Sequence, residues 1–230
     1  MIIKGVQKTT LVDYPGKVAS TIFLYGCNLR CPFCFSPDLV LGGDSDEMSE
    51  EEVLSMLKKR KKYIDAVCVT GGEPTLNKKL PAFLSNLKKL GFSVKLDTNG
   101  TNPGVLKKII DAGLVDYIAM DIKAPMEKYE AAAGTSMSVE GVKKSVDLIK
   151  NSGVDYEFRT TVVPRLHKKE DILAICRWLA GSKRYYLQQF RPLKTLEKEF
   201  GKEKPYTPQQ MKELAGLAKP FFETCEVRNL

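Results

Sequence analysis

Val18-Ala19-Ser20-Thr21-Ile22-Phe23-Leu24-Tyr25-Gly26-Cys27-Asn28-Leu29-Arg30-Cys31-Pro32-Phe33-Cys34 joins an apolar, β-branched run to three cysteines spaced Cys-x3-Cys-x2-Cys. Residues 18–25 read as a buried strand, so the thiols stand at its C-terminal end. The set offers three soft thiolates and no local fourth ligand. A closed structural zinc usually takes four ligands, commonly as two pairs, whereas Cys68, Cys176, Cys225 and His167 stand singly and far apart. An iron-sulfur cube held by three protein thiolates leaves one iron for a ligand that is not protein. Cys27, Cys31 and Cys34 are the candidate ligands of such an open site, with zinc as the competing reading.

The same strand begins an alternation that runs through most of the chain. Further strands are expected at 66–70, 92–96, 115–120, 156–163 and 185–190, and helices at 49–63, 79–90, 104–112, 139–151 and 169–180. Six strand-helix rounds predict an α/β fold, a parallel sheet wound as a partial (β/α)6 TIM-like barrel with right-handed crossovers. The chain divides into an N-terminal segment (1–17), the barrel core (18–192) and a partly helical tail (193–230), all in one domain. Cys27, Gly71-Gly72-Glu73-Pro74, Asp97-Thr98-Asn99-Gly100 and Asp121-Ile122-Lys123 each follow a strand. Barrel enzymes assemble their sites on that face, so these motifs should converge.

Each motif also has a plain structural reading. Gly71-Gly72 exposes backbone to which a ligand can come close, and Glu73 can accept from an ammonium group, but a strand-to-helix turn uses the same residues. Asp97, Asp121 and Lys123 continue from apolar strands into the barrel mouth, where they should pair with ligand or with one another. Cys68, between Val67 and Val69, and Cys176, beside Ile175, read as small core residues. His167 reads as a surface loop residue.

Composition narrows the class further. The chain has 230 residues, 43% of them apolar, enough for one sizeable core. Its net charge of +8 raises nucleic-acid binding, but the densest basic run, Lys58-Lys59-Arg60-Lys61-Lys62, closes a helix opened by Ser49-Glu50-Glu51-Glu52. That distribution suits the helix macrodipole, and there is no aromatic interleaving of the kind single-strand binding uses. No nucleic-acid partner is expected; a basic surface also suits an acidic protein. Lys4, Lys8 and Asp13 interrupt the start, and 18–25 is too short to span a bilayer, so no membrane association is expected. Six cysteines, three clustered and three scattered, make a poor disulfide framework, which points to a reducing, oxygen-poor cytoplasm.

The spacing Cys27-x3-Cys31-x2-Cys34 resembles the signature of the radical S-adenosylmethionine enzymes, and Gly71-Gly72-Glu73 matches that family's segment after the second strand. The resemblance implies a 4Fe-4S cluster whose free iron is chelated by the amino and carboxylate groups of S-adenosylmethionine. It implies a methionine-ammonium site at Gly71, Gly72 and Glu73, and an adenine contact from Phe33, for which a hydrophobic plug beside the loop is the alternative. Asp97-Thr98-Asn99-Gly100 and Asp121-x-Lys123 resemble segments of the glycyl-radical-enzyme activases, such as pyruvate formate-lyase activase. There they line the nucleotide and a monovalent-cation site, while the counterpart of the segment from Arg159 to Pro164 passes the adenine near Val163. Where the pyruvate formate-lyase branch has a histidine after the sixth strand, this chain has Gln189-Phe190-Arg191-Pro192, which points to another subgroup and places Arg191 near the cofactor.

The resemblance runs from about Gly5 to Pro192, and the opening from Gly5 to Gly16 is similar to activases of anaerobic ribonucleoside-triphosphate reductase. Residues 35–48 carry no cysteine, so one cluster is expected. The implied chemistry is reductive cleavage of S-adenosylmethionine to a 5′-deoxyadenosyl radical, which takes a hydrogen atom from a glycine Cα of a partner enzyme. The implied partners are a glycyl radical enzyme, anaerobic ribonucleotide reductase first, and a flavodoxin- or ferredoxin-type electron donor. A pyruvate formate-lyase-type activase, or a radical enzyme acting on a small molecule such as a deazapurine precursor, are the alternatives.

Overall fold

Alternate residues of the central strands differ in chemistry, and this gives the sheet two unlike faces. The computed structural model describes residues 1–42 and 47–230. Its strands are β1 (Ile3–Thr10), β2 (Ala19–Leu24), β3 (Ala66–Gly71), β4 (Ser93–Thr98), β5 (Tyr117–Asp121), β6 (Asp155–Val162), β7 (Arg184–Gln189) and β8 (Thr224–Arg228). Ile22, Leu24, Val67, Val69, Val94, Leu96, Ile118, Met120, Phe158 and Leu187 are fully buried. They share one apolar core with helical residues such as Val53, Leu84, Ile109, Val146 and Ile175. The residues between them, among them Thr21, Cys68, Lys95, Asp97, Asp121, Glu157 and Arg159, occupy the opposite face.

Strands adjacent in sequence are adjacent in the sheet, in the order β1 to β8. β2 through β8 run parallel, and β1 lies antiparallel on β2. Helices supply the crossovers: α1 (Pro37–Leu41), α2 (Glu50–Arg60), α3 (Leu80–Lys89), α4 (Pro103–Asp111), α5 (Tyr129–Ala133), α6 (Glu140–Lys150), α7 (Lys169–Leu179) and α8 (Pro208–Ala218). This is the expected parallel α/β barrel. Among the described residues β1 and β8 are the two edges of the sheet, so the barrel is open along one side.

Those two edge strands add to the six expected. β1, Ile-Lys-Gly-Val-Gln-Lys-Thr-Thr, lacks the apolar alternation of a core strand because it is an edge; two register shifts and its lysines discourage further pairing. β8 is a short strand in the tail, preceded by α8, which is capped by Thr207 and Gln210. The basic run 58–62 does close a helix: Ser49 and Glu52 form a capping box on α2, whose last turn holds Lys58, Lys59 and Arg60. Among the described residues no helix is long and apolar enough to cross a membrane. Residues 43–46, part of the cysteine-free stretch 35–48, lie outside the described residues.

Candidate active site

A cavity of about 420 Å³ occupies the barrel lumen, a size ordinary for a small-molecule site. Its wall takes Gln7 from β1, Thr21 and Phe23 from β2, Cys68 and Thr70 from β3, Asp97 from β4, Asp121 from β5, Arg159 and Thr161 from β6, and Gln188 from β7, with Asn229 just after β8. Cys27, Cys31, Phe33 and Cys34 line the same cavity, as do Gly71, Gly72, Thr98, Asn99 and Lys123. The motifs scattered along the sequence therefore meet on the C-terminal face of the barrel.

The cysteine loop is held by backbone contacts from three directions. Gly72 N donates to Leu24 O at 2.9 Å and Glu73 N to Gly26 O at 2.7 Å. A Cβ on Gly71 would lie 2.2 Å from Leu24 O, and one on Gly72 would lie 2.0 Å from Gly26 O. The glycine pair is thus required by the crossing of two chain segments, a reason independent of any ligand. On a second side Arg30 N donates to Ala133 O at 2.8 Å. There Gly134, at φ +63°, leaves no room for a side chain against Arg30 O. On the third side Leu196 N and Glu197 N donate to Cys34 O and Pro32 O, both at 3.0 Å, so the tail straps the loop. Neither the Gly134 contact nor the strap was visible in the sequence pattern.

All six cysteines are free thiols. Burial pushes the Cys31 thiol up to about 11 and also raises Cys27, so loading a metal group here must displace protons. Among the described residues no three His, Cys, Asp or Glu side chains converge on a point as a single metal ion requires. The three thiols line one cavity, and soft thiolates are the donors that an iron-sulfur cluster takes.

Glu73 departs from its expected role. Its carboxylate is fully buried, outside the cavity wall. Oε1 accepts from Thr75 N at 3.0 Å, Thr75 Oγ1 at 2.5 Å and Thr98 Oγ1 at 2.8 Å, while Oε2 accepts from Asn99 N at 2.6 Å. Burial raises its pKa and these donors oppose the rise. Glu73 ties the turn after β3 to the turn after β4 and has no free face for an ammonium group. From the second turn, Asn99 Nδ2 donates to Asn28 Oδ1 at 3.0 Å, joining it to the cysteine loop.

Charged residues form a ladder across the lumen. Lys95 contacts Asp97; Arg159 Nη1 reaches Asp97 Oδ2 at 3.2 Å and Arg159 Nε reaches Asp121 Oδ1 at 2.9 Å; Lys123 Nζ meets Asp121 Oδ2 at 3.2 Å. Burial works to raise Asp121, but Arg159 and Lys123 outweigh it and hold the carboxyl down to about 2. Asp97 is lowered in the same way, by Arg159 and Lys95 against burial. Below the ladder, fully buried Glu157 is held by Arg228 at 2.7 and 2.9 Å and accepts from Tyr117 Oη at 2.8 Å. The sequence pattern did not mark Lys95, Glu157 or Arg228 as site residues, and Arg159 stood out only as the start of the segment expected near the adenine. The available signal was Lys95-x-Asp97 and Glu157-x-Arg159, charges at period two inside parallel strands that ordinarily read as continuous apolar runs.

Four further expectations change. Val163 is packed in the core and absent from the cavity wall. Arg191 lies at the surface, donating to Asn229 O at 3.3 Å, and does not reach the cavity. His167 is fully buried: Val163 N donates to its Nδ1 at 3.0 Å, and Nε2 lies 2.7 Å from Lys123 O. The loop after β6 is thereby locked to the loop carrying Lys123. Cys68 is buried as expected but faces the lumen, 3.6 Å from Asp97 Oδ1, whereas Cys176 belongs to the apolar core.

Fold and site together describe a parallel α/β barrel whose lumenal cavity gathers three thiols, a glycine pair and an ion-paired ladder. Residues 21–179 match the radical SAM superfamily, and the chain belongs to it. It is 34% identical to a Methanocaldococcus jannaschii protein named a glycyl-radical enzyme activating enzyme, over all of this chain and 96% of that one. It is 29% identical to the pyruvate formate-lyase-activating enzyme of Clostridium pasteurianum, over 84% of this chain and 82% of the relative. These relatives place it in the glycyl-radical-enzyme activase branch. Among solved structures, Streptococcus suis SuiB bound to S-adenosylmethionine superposes with a TM-score of 0.71 at 14% identity. That likeness, over 90% of this chain and about half (49%) of SuiB, is one of fold.

Proposed function

We propose that this protein installs a glycyl radical on a partner enzyme, anaerobic ribonucleoside-triphosphate reductase, using one 4Fe-4S cluster on Cys27, Cys31 and Cys34. The observation that carries the proposal is the joining of those thiols, Gly71-Gly72 and the Asp121-Lys123 pair on one lumenal cavity. When bound, the cluster and S-adenosylmethionine supply the one-electron chemistry that removes a hydrogen atom from the glycine. The chain's own residues bind and orient. Gly71 and Gly72 offer backbone to the methionine end, Phe33 offers an aromatic face to the adenine, and Thr98, Asn99, Asp121 and Lys123 offer hydrogen bonds along the nucleotide. Glu73 acts one step back, holding the turns that present those groups. The open side between β1 and β8 is the route for a glycine-bearing loop, and the strapped cysteine loop faces a flavodoxin- or ferredoxin-type donor in the cytoplasm.

The relative from Clostridium pasteurianum supports a second reading, in which the partner is of the pyruvate formate-lyase type. One experiment separates them. Cluster-loaded, reduced protein is mixed anaerobically with S-adenosylmethionine and each candidate partner, and electron paramagnetic resonance is recorded. A glycyl doublet on the ribonucleotide reductase is expected. A doublet only on a pyruvate formate-lyase-type partner would reassign the partner, and 5′-deoxyadenosine formed only with a small metabolite would remove the activase reading.

A further inference from the structure

The resemblance implies a monovalent cation between Asp97 and Asp121, and the geometry there does not fit one. Every oxygen of both carboxylates already has a cationic partner: Asp97 takes Lys95 and Arg159, and Asp121 takes Arg159 and Lys123. The five side chains carry three positive and two negative charges, a net of +1. A hard cation takes oxygen ligands, so it would have to displace an ammonium or the guanidinium. Arg159 is 12% exposed, stands between the two carboxylates and uses separate nitrogens on each. Its guanidinium does not deprotonate in proteins, so the charge it supplies is permanent.

We propose that Arg159 is a built-in counterpart of the monovalent cation, a positioning residue that fixes Asp97 and Asp121 beside the nucleotide and makes binding of S-adenosylmethionine indifferent to sodium and potassium. The proposal rests on the reading of this cavity as the nucleotide site. Lys95 and Lys123 complete the arrangement by holding the outer oxygens. In physical terms, a diffusible ion that must be recruited is replaced by one delivered covalently by β6, with no loss at low salt.

The test uses the cluster-loaded enzyme under anaerobic conditions. Affinity for S-adenosylmethionine is measured with sodium and potassium chlorides replaced by choline chloride at equal ionic strength. Independently, thallium NMR is used to titrate thallium(I) into the nucleotide-free protein. The expected result is a change in affinity of no more than about twofold, with no saturable thallium site. Arg159→Met should weaken binding in choline and regain affinity on addition of potassium, as the space between the two carboxylates opens to the ion. A wild-type affinity that falls about tenfold in choline, or one saturable thallium ion per wild-type chain, overturns the proposal. Failure to bind S-adenosylmethionine in any salt would instead overturn the reading of the cavity, and the thallium titration would still decide the ladder.

Discussion

Glu73 and Glu157 are both fully buried carboxylates, but they are satisfied by different chemistry. Glu73 has only neutral donors, from Thr75, Thr98 and Asn99, whereas Glu157 has a two-pronged guanidinium and a phenol. Removing the acceptor at Glu73 leaves buried donors unpaired, each such loss being worth about 1–3 kcal/mol. Glu73→Ala is therefore expected to lower stability by about 3 kcal/mol in urea melts, and to weaken S-adenosylmethionine binding only as far as the turns relax. A variant of wild-type stability that had lost nucleotide affinity would return Glu73 to direct contact. The cysteines make a sharper set. Reconstituted protein should hold about four irons, and Cys27→Ala, Cys31→Ala and Cys34→Ala should each lose the intact cluster, while Cys176→Ala, in the apolar core, should keep it. Iron and sulfide analysis with Mössbauer spectroscopy gives the answer; full occupancy in the Cys31 variant would sink the ligand assignment.

At the level of single elements, β8 does more than extend the sheet. Arg228 arrives on it, lies 3.3 Å from the Tyr186 ring centroid, and closes over Glu157. Because Glu157 is fully buried, cutting off Arg228 leaves it only Tyr117 and the Arg159 guanidinium 4.0 Å away, and breaking a buried pair from one side costs about 3–5 kcal/mol. Arg228→Met should accordingly destabilise by about 3 kcal/mol. Adding Glu157→Gln to it should recover part of the loss, and a double-mutant cycle by chemical denaturation measures the coupling. Additive effects of the two substitutions would mean that β8 is held by its backbone pairing alone. The element explains why the tail resisted sequence reading. Thr-Cys-Glu-Val-Arg is too short and too mixed to announce a strand, and its reason for existing, Glu157, lies far away in sequence.

For the whole molecule, the buried charges set the response to acid. His167 has its pKa lowered from 6.5 by burial, so below 6.5 the unfolded chain binds more protons and stability falls as pH falls. Asp121 sits at about 2 in the fold against an ordinary 3.8, so its contribution is complete above 3.8 and is lost as pH drops toward 2. Urea melts should show a first decline between about pH 7.5 and about pH 5.5, absent in His167→Gln, and a second below about pH 4. A flat profile down to about pH 5 would show that His167 is not buried neutral in solution.

The strand-helix alternation, the three-thiol loop and the C-terminal face on which the motifs meet were all legible along the chain. Those features are local: apolar periodicity, caps and ligand spacing are written in neighbouring residues. Tertiary structure alone decided which way the polar strand residues point and whom they meet. Asp97 and Asp121 were legible as mouth residues, but Arg159, two strands from Asp97 in the sheet, became their shared partner only when the sheet curled. Likewise Glu73 looked available until Thr98 and Asn99 of the next turn closed on it. His167 looked exposed until the loops after β5 and β6 packed together. A buried polar group takes whatever donor or counter-charge the fold brings within reach, and that choice depends on distances in space that no stretch of sequence contains.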